Sequence, residues 1–159
     1  MSKIAVITGA GSGIGKAIAF LYARLGAKLV ICGRDPVKLE ACAEWLRRLG
    51  SPDVLVHPMT IRDPEQVEQL IDVAWLHFGR IDVLVNNAAA PHGADRRFIW
   101  EVPEAAWDLV LGVNLKGAFL MSQAVIRHML ERGGGGRIIN NESNEMICSH
   151  KIFQKCVPR

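Results

Sequence analysis

A glycine-rich turn near the start of the chain constrains the fold more than any other feature of the sequence. It follows a short β-branched run and opens an apolar-periodic segment, so the pattern predicts a strand, a tight turn and a helix. Glycines permit the turn and let the backbone approach a pyrophosphate, and the helix N-terminus adds unpaired N–H groups and partial positive charge. We therefore expect a nucleotide site here and not an ordinary glycine loop. The expected contacts are Thr8, Gly9, Gly11, Ser12, Gly13, Ile14 and Gly15.

Short β-branched runs alternate with helical patterns along the rest of the chain, as is typical of βαβ units in a parallel sheet covered by helices on both faces. Asp35 and Asp63 are expected N-caps, each followed by proline, and Gln66 is placed to complete a capping box. The sequence predicts a Rossmann-like, doubly wound α/β fold of about five strands, truncated after the fifth. Expected strands span 3–8, 28–32, 54–57, 81–86 and 137–140; expected helices span 14–25, 36–49, 64–78 and 104–130.

The composition changes abruptly at Asn141. The segment 141–159 contains no Ala, Gly or Leu, although these residues dominate the sequence before it. It fits neither a helix nor a strand template well. The 159 residues suit one domain, so we expect a nucleotide-binding domain over 1–140 and a poorly ordered tail over 141–159.

Charge and cysteine usage argue against several classes of protein. The net charge of +3 comes from scattered bases, which do not form a nucleic-acid-binding stripe. We find no signal-peptide pattern and no apolar run near the roughly 18 residues needed to span a bilayer. The four cysteines lack CxxC spacing, which favours reduced thiols over a disulfide or zinc site. We therefore expect a cytoplasmic protein without nucleic acid, membrane or metal partners.

Four motifs in order resemble those of the short-chain dehydrogenase/reductase family, and the resemblance covers about residues 3–140. The turn TGAGSGIG resembles the family's TGxxxGIG fingerprint, and Asn86-Asn87-Ala88-Ala89 resembles its NNAG motif with alanine in place of the final glycine. The segments 113–117 and 136–140 resemble the family's fourth helix and fifth strand. The resemblance implies hydride transfer between a nicotinamide nucleotide and a carbonyl or alcohol carbon of a small-molecule substrate. It also implies that Asn87, Ala88 and Ala89 contact the cofactor.

The residues after the second strand bear on which nucleotide is bound. An acidic residue at the end of this strand would favour NAD, but Gly33 stands there and Arg34 follows. A guanidinium fork suits a 2′-phosphate, so we expect NADP(H) to be preferred over NAD(H), with a solvated arginine beside Asp35 as the alternative. By alignment, Thr60 stands where many members of the family have an aspartate that contacts adenine. We expect Thr60 and Ile61 to contact adenine through their backbone instead.

The expected catalytic set is incomplete in this sequence. The family uses a tyrosine, a lysine four residues later, a serine and an asparagine. Asn114 matches the asparagine, with close helix packing as the alternative reason for its glycine-flanked position, and Ser143 is a marginal match to the serine. No YxxxK occurs: the tyrosine position falls on Cys156, for which we expect no substituting role, and Tyr22 has the setting of a packing residue.

We therefore expect an oxidoreductase of this family whose activity in residues 1–159 is impaired. Two alternatives stay open. One is a non-enzymatic nucleotide-binding or regulatory chain that associates with itself or with full-length relatives. The other is a truncated product without function. The substrate cannot be inferred from these residues.

Overall fold

The computed structural model describes residues 2–91, 98–133 and 135–141. They include a five-stranded parallel sheet in the order β3-β2-β1-β4-β5. This arrangement confirms the expected doubly wound fold, and each strand end lies within two residues of its expected place. Ser143, Cys156 and the rest of the expected tail beyond residue 141 lie outside the described residues. The strands are β1 (Ile4–Thr8), β2 (Lys28–Gly33), β3 (Val54–Pro58), β4 (Val83–Asn86) and β5 (Arg137–Asn140).

Helices cover both faces of the sheet. One face packs against α1 (Gly13–Arg24) and α2 (Pro36–Arg48), and the other packs against α3 (Pro64–Phe78) and α5 (Ala118–Glu131). Side chains alternate between the two faces along each strand. Ile7 and Leu29 face α1 and α2. Val6, Val30 and Leu84 face α3 and α5. Burial on both faces explains the continuous apolar runs in the sequence.

The helix expected over 104–130 is interrupted. It begins as α4 (Glu104–Leu111), continues through a π-helical segment (Gly112–Gly117) and ends as α5. The expectation of one regular helix was wrong at this point, because hydrophobic periodicity does not reveal the extra residue per turn of a π segment.

The expectation that no apolar segment is long enough to span a bilayer is corrected by this long helix. Over Glu104–Glu131 it is long and apolar enough to cross a membrane, by length and composition alone. One face is nevertheless packed into the protein core through Met121, Ala124, Val125 and Met129. Core helices of α/β proteins pass the same test of length and composition.

The helix caps largely follow expectation. Asp35 Oδ1 accepts a hydrogen bond from the Lys38 N–H at 3.1 Å, and Asp63 Oδ1 accepts one from the Glu65 N–H at 3.0 Å. Gln66 does not complete a capping box, because its Oε1 accepts from the Thr60 N–H at 2.9 Å while the Asp63 N–H donates to the Thr60 carbonyl. The Gln66 side-chain amide thus stabilises the loop before α3. The N–H of the N-cap residue, Asp63, is bonded to a backbone carbonyl instead of to Gln66.

Candidate nucleotide-binding site

The site lies at the carboxyl edge of the sheet, between β1 and β4. These neighbouring strands are where the strand order reverses direction, since β2 and β3 lie on one side and β5 on the other. Loops that leave such a pair diverge and open a crevice, which is where doubly wound sheets bind ligands. The glycine turn follows β1, and Asn87 to Ala89 follow β4, so the structure brings these two predicted stretches together.

The Thr8 side chain joins the two stretches. Its Oγ1 accepts hydrogen bonds from the N–H groups of Asn87 and Ala88, both at 2.9 Å, and donates to the Val85 carbonyl at 3.3 Å. The Asn87 Nδ2 donates back to the Thr8 carbonyl at 3.0 Å. Thr8 is completely buried, so we assign it an indirect role: it holds both walls of the crevice in register.

Two glycines are sterically required for this close approach. Gly9 has a φ of 68°, and a Cβ there would lie 2.9 Å from the Ala88 Cα. A Cβ on Gly15 would lie 2.5 Å from the Gly9 carbonyl oxygen and 2.4 Å from the Asn87 Nδ2. No other residue fits at either position without moving the backbone.

The N-terminus of α1 differs from those of α2 and α3. Its N-cap, Ser12, makes no side-chain hydrogen bond to the helix, and the first turn contains no acidic residue. The next two helices are capped by Asp35 and Asp63. The positive end of α1 therefore has no negative side chain of its own, and the glycine cradle in front of it suits the pyrophosphate of a dinucleotide.

Arg34 lies at the end of β2, beside this turn, and is exposed. Its side chain forms no hydrogen bond or ion pair with the rest of the described chain. This exposure agrees both with a role in phosphate binding and with the alternative of a solvated arginine beside Asp35. The Asp35 carboxylate accepts from the Lys38 N–H and lies 3.4 Å from the Lys38 Nζ. The backbone hydrogen bond from Lys38 also holds the pKa of Asp35 below its usual value.

Asn114 lies in the π segment and is exposed. Its Oδ1 accepts a hydrogen bond from the Ala90 N–H at 2.9 Å, so it contacts the chain that follows Ala89. Close packing also occurs here, because a Cβ on Gly117 would lie 2.5 Å from the Ile61 Cδ1. Tyr22, in contrast, borders a cleft with Lys3 and Gly26 at the amino edge of the sheet, away from the glycine turn.

Sequence reasoning missed an amide network at the ends of β4 and β5. The Ser122 hydroxyl donates to the Ala118 carbonyl at 2.7 Å, so its oxygen can accept from the Asn86 Nδ2 at 3.0 Å. The Asn86 Nδ2 also donates to the Asn140 Oδ1 at 2.9 Å. The Asn141 Nδ2 donates to the Asn87 Oδ1 at 2.9 Å. The paired asparagines 86–87 and 140–141, at the ends of two neighbouring strands, were the sequence signal that could have predicted this network.

The chain matches the short chain dehydrogenase family over residues 3–151. It belongs to that family. An uncharacterized oxidoreductase of Staphylococcus aureus (strain USA300) is 38% identical over 133 residues, which cover 84% of this chain and 55% of the relative. The chain thus spans about half the length of the curated relatives it matches.

Two solved structures illustrate the similarity of this short-chain dehydrogenase chain to longer proteins. A metagenomic short-chain oxidoreductase in complex with NADP has a TM-score of 0.81 and 33% identity over 88% of this chain and 62% of its own. NAD+-bound xylitol dehydrogenase has a TM-score of 0.83 and 30% identity over 89% of this chain and 53% of its own. Structural relatives therefore bind either nucleotide.

Proposed function

We propose that this chain supplies the nucleotide-binding portion of an NADP-dependent oxidoreductase that interconverts carbonyl and alcohol carbons. The observation that carries the proposal is the uncapped N-terminus of α1 behind a glycine turn that contacts Ala88. When bound, the nicotinamide accepts or supplies the hydride. The chain's own residues bind the pyrophosphate, orient the cofactor and exclude water from the crevice.

Preference for NADP(H) rests on Gly33 and Arg34. A Cβ on Gly33 would lie 3.9 Å from the Gly9 Cα, so an acidic side chain at this position would face the turn and repel a 2′-phosphate. Arg34 offers a charged donor whose hydrogen bonds contribute roughly 1.5–3 kcal/mol, equivalent to about a tenfold to hundredfold preference. The Asp35 carboxylate is engaged by Lys38 and does not oppose the phosphate from α2.

Fluorescence titration of the purified chain with NADPH and NADH tests both proposals. We expect saturable binding that favours NADPH, a loss of that preference in Arg34→Met, and a preference for NADH in Gly33→Asp. Arg24→Met, an exposed arginine in the last turn of α1, is the control and should bind like wild type. Equal binding of both nucleotides by wild type would reject Arg34 as the reader of the phosphate, and binding of neither would reject the nucleotide site.

We propose Thr60 and Ile61 as contacts for the adenine. The Thr60 N–H is occupied by Gln66 and its carbonyl by Asp63. We therefore propose that Thr60 contacts adenine through its side-chain hydroxyl and not through its backbone. Ile61 is proposed to contact adenine through its backbone, as the family resemblance implies.

Asn114 is our candidate for the family's catalytic asparagine. The only tyrosine of the sequence, Tyr22, lies at the amino edge of the sheet, so residues 1–159 contain no family tyrosine at the site. Loss of a general acid/base typically lowers rates about 10²- to 10⁴-fold. We propose nucleotide binding without catalysis by these 159 residues as the second candidate function. Measurable NADPH oxidation with small aldehydes and ketones by the purified chain would contradict it.

We further propose that the chain is cytoplasmic and associates with itself or with a longer relative. Phe119, Ile126 and Leu130 are 59%, 41% and 74% exposed and lie on one face of α5 at spacings of seven and four residues. An apolar stripe of this kind is typical of an interface. Light scattering should show a dimer or larger species, and Phe119→Glu should reduce its mass; a monomer at all concentrations would reject self-association.

A further inference from the structure

Gly112 and Gly117, the first and last residues of the π segment, contact side chains of the loop between β3 and α3. A Cβ on Gly117 would lie 2.5 Å from the Ile61 Cδ1 and 3.3 Å from the Ile61 carbonyl oxygen. A Cβ on Gly112 would lie 3.0 Å from the Arg62 Nε. Ile61 is 7% exposed and packs closely against Gly117, whereas Arg62 and Asp63 line an open cleft of about 810 Å³ together with Leu115 and Lys116.

This loop is also held from its other side. The Thr60 N–H donates to the Gln66 Oε1 at 2.9 Å, and the Gln66 Nε2 donates to the Asp63 Oδ2 at 2.8 Å. Just before the loop, the Met59 N–H donates to the Gly33 carbonyl at 2.8 Å. A displacement of Ile61 is therefore transferred to Gly117 and not absorbed within the loop.

On its other side the π segment contacts the chain after β4. Asn114 lies between the two glycines, and its Oδ1 accepts from the Ala90 N–H at 2.9 Å. A π segment holds one more residue per turn than an α-helix, and a register change of one residue rotates a side chain by about 100°. Asn114 and Gly117 lie three residues apart within this segment, so a shift at Gly117 acts on the turn that carries the Asn114 side chain.

We propose that Ile61 and Gly117 are positioning residues, whose contact sets the orientation of Asn114 according to whether the adenosine end of the site is filled. This inference rests on the proposed nucleotide-binding function. The loop that contacts adenine and the π segment that carries Asn114 then move together.

The test uses 2′,5′-ADP, which has no nicotinamide, and the NMR signal of the Asn114 side-chain amide in the whole 159-residue chain. At saturation we expect the ligand to shift this signal in wild type and Gly117→Ala to abolish the shift while weakening binding about fivefold or more. The double variant Ile61→Ala/Gly117→Ala should restore the shift, because the smaller side chain makes room for the added methyl group.

Gly112→Ala is the matched control, since it makes the same change in the same helix and meets only the movable end of Arg62. If Gly117→Ala does not fold, Ile61→Ala alone decides the question: at saturation it should give no Asn114 shift. An Asn114 signal that responds equally in all variants, or in none, overturns the inference while leaving nucleotide binding intact. Failure of 2′,5′-ADP to bind wild type overturns the proposed function as well.

Discussion

The two sides of the sheet are stabilised in different ways. All five residues of β1 are buried, whereas three of the four residues of β5 are exposed and the fourth is half-buried. Strands β1 and β2 pack between helices on both faces, and the glycine turn is held by backbone contacts. Strand β5, in contrast, pairs with β4 and is tied at its ends by polar side chains. The candidate nucleotide-binding side thus depends on apolar packing and close approach, whereas β5 packs Ile138 against the core and relies otherwise on hydrogen bonds.

The amino end of β5 is tied through Asp82, whose side chain is 5% exposed. It accepts hydrogen bonds from the Ile4 N–H at 2.9 Å, from the Arg80 Nε at 3.1 Å and from Arg132 at 3.4 Å. Its backbone carbonyl accepts from the Arg137 N–H at 2.9 Å. The Asp82 carboxylate therefore joins the start of β1 to Arg80 and to Arg132 after α5, and the Asp82 backbone carbonyl holds the start of β5.

The largest effect should come from breaking the close approach on the nucleotide-binding side. Gly15→Ala places a methyl group 2.5 Å from the Gly9 carbonyl oxygen, so we expect a loss of about 3 kcal/mol or more in the free energy of unfolding and loss of NADPH binding. Urea unfolding and the titration described above measure both quantities. Exposed Ala17→Ser is the control, and a Gly15→Ala protein with wild-type stability would show that the turn tolerates a side chain.

Asp82→Asn should have the next largest effect, about 2–3 kcal/mol, because it leaves two partly buried arginines without their carboxylate. Burial raises the pKa of Asp82, but the hydrogen bonds from Arg80, the Ile4 N–H and Arg132 outweigh it and hold the pKa below its usual value. The carboxylate therefore stabilises the fold above the unfolded pKa of about 3.9, and this contribution is lost as the pH falls through the folded pKa.

Unfolding of Asp82→Asn measured from pH 7 to pH 3 tests this assignment. The stability difference from wild type should be largest at pH 7 and should shrink below about pH 4. Asp108→Asn is the matched control, because the Asp108 side chain is exposed and forms no hydrogen bond or ion pair with the described residues. A difference that stays constant across this range would mean that the carboxylate charge is not what stabilises the contacts with Ile4, Arg80 and Arg132.

Thr8→Val should cost about 2 kcal/mol, because an isosteric methyl group leaves the N–H groups of Asn87 and Ala88 without their acceptor. We expect NADPH binding to weaken as well, since the wall after β4 loses its anchor. Hydrogen exchange should report faster exchange at both amides. Unchanged exchange would show that water replaces the hydroxyl at no cost.

Asn140→Ala should have the smallest effect, about 1 kcal/mol. It removes the acceptor of the Asn86 Nδ2 on a residue that is itself exposed. Faster hydrogen exchange should be confined to β5 and the end of β4, with NADPH affinity close to that of wild type. A loss of affinity as large as that of Thr8→Val would mean that the two sides of the sheet do not behave as separate units.

Local signals predicted most of the fold. Asp35, Asp63 and Gly79 begin or end helices through hydrogen bonds and backbone angles that involve residues only a few positions away. The π segment and the role of Gln66 were not predictable in the same way. Gly112 and Gly117 can be read from the sequence, but a side chain at either position would contact Arg62 or Ile61, about fifty residues earlier. That contact is visible only in the folded structure.

The sequence by itself determined the family, the order of strands and helices, and the glycine turn of the candidate nucleotide site. Each depends on short-range patterns of glycine, apolar spacing and capping residues. Tertiary structure alone decided that Thr8 holds two loops together, that Asp35 is engaged by Lys38 and leaves Arg34 unpaired within the described chain, and that Asn114 is set by its contact with Ala90. These are contacts and rotamers whose partners are chosen only when separate strands and helices pack together, and no local pattern specifies them.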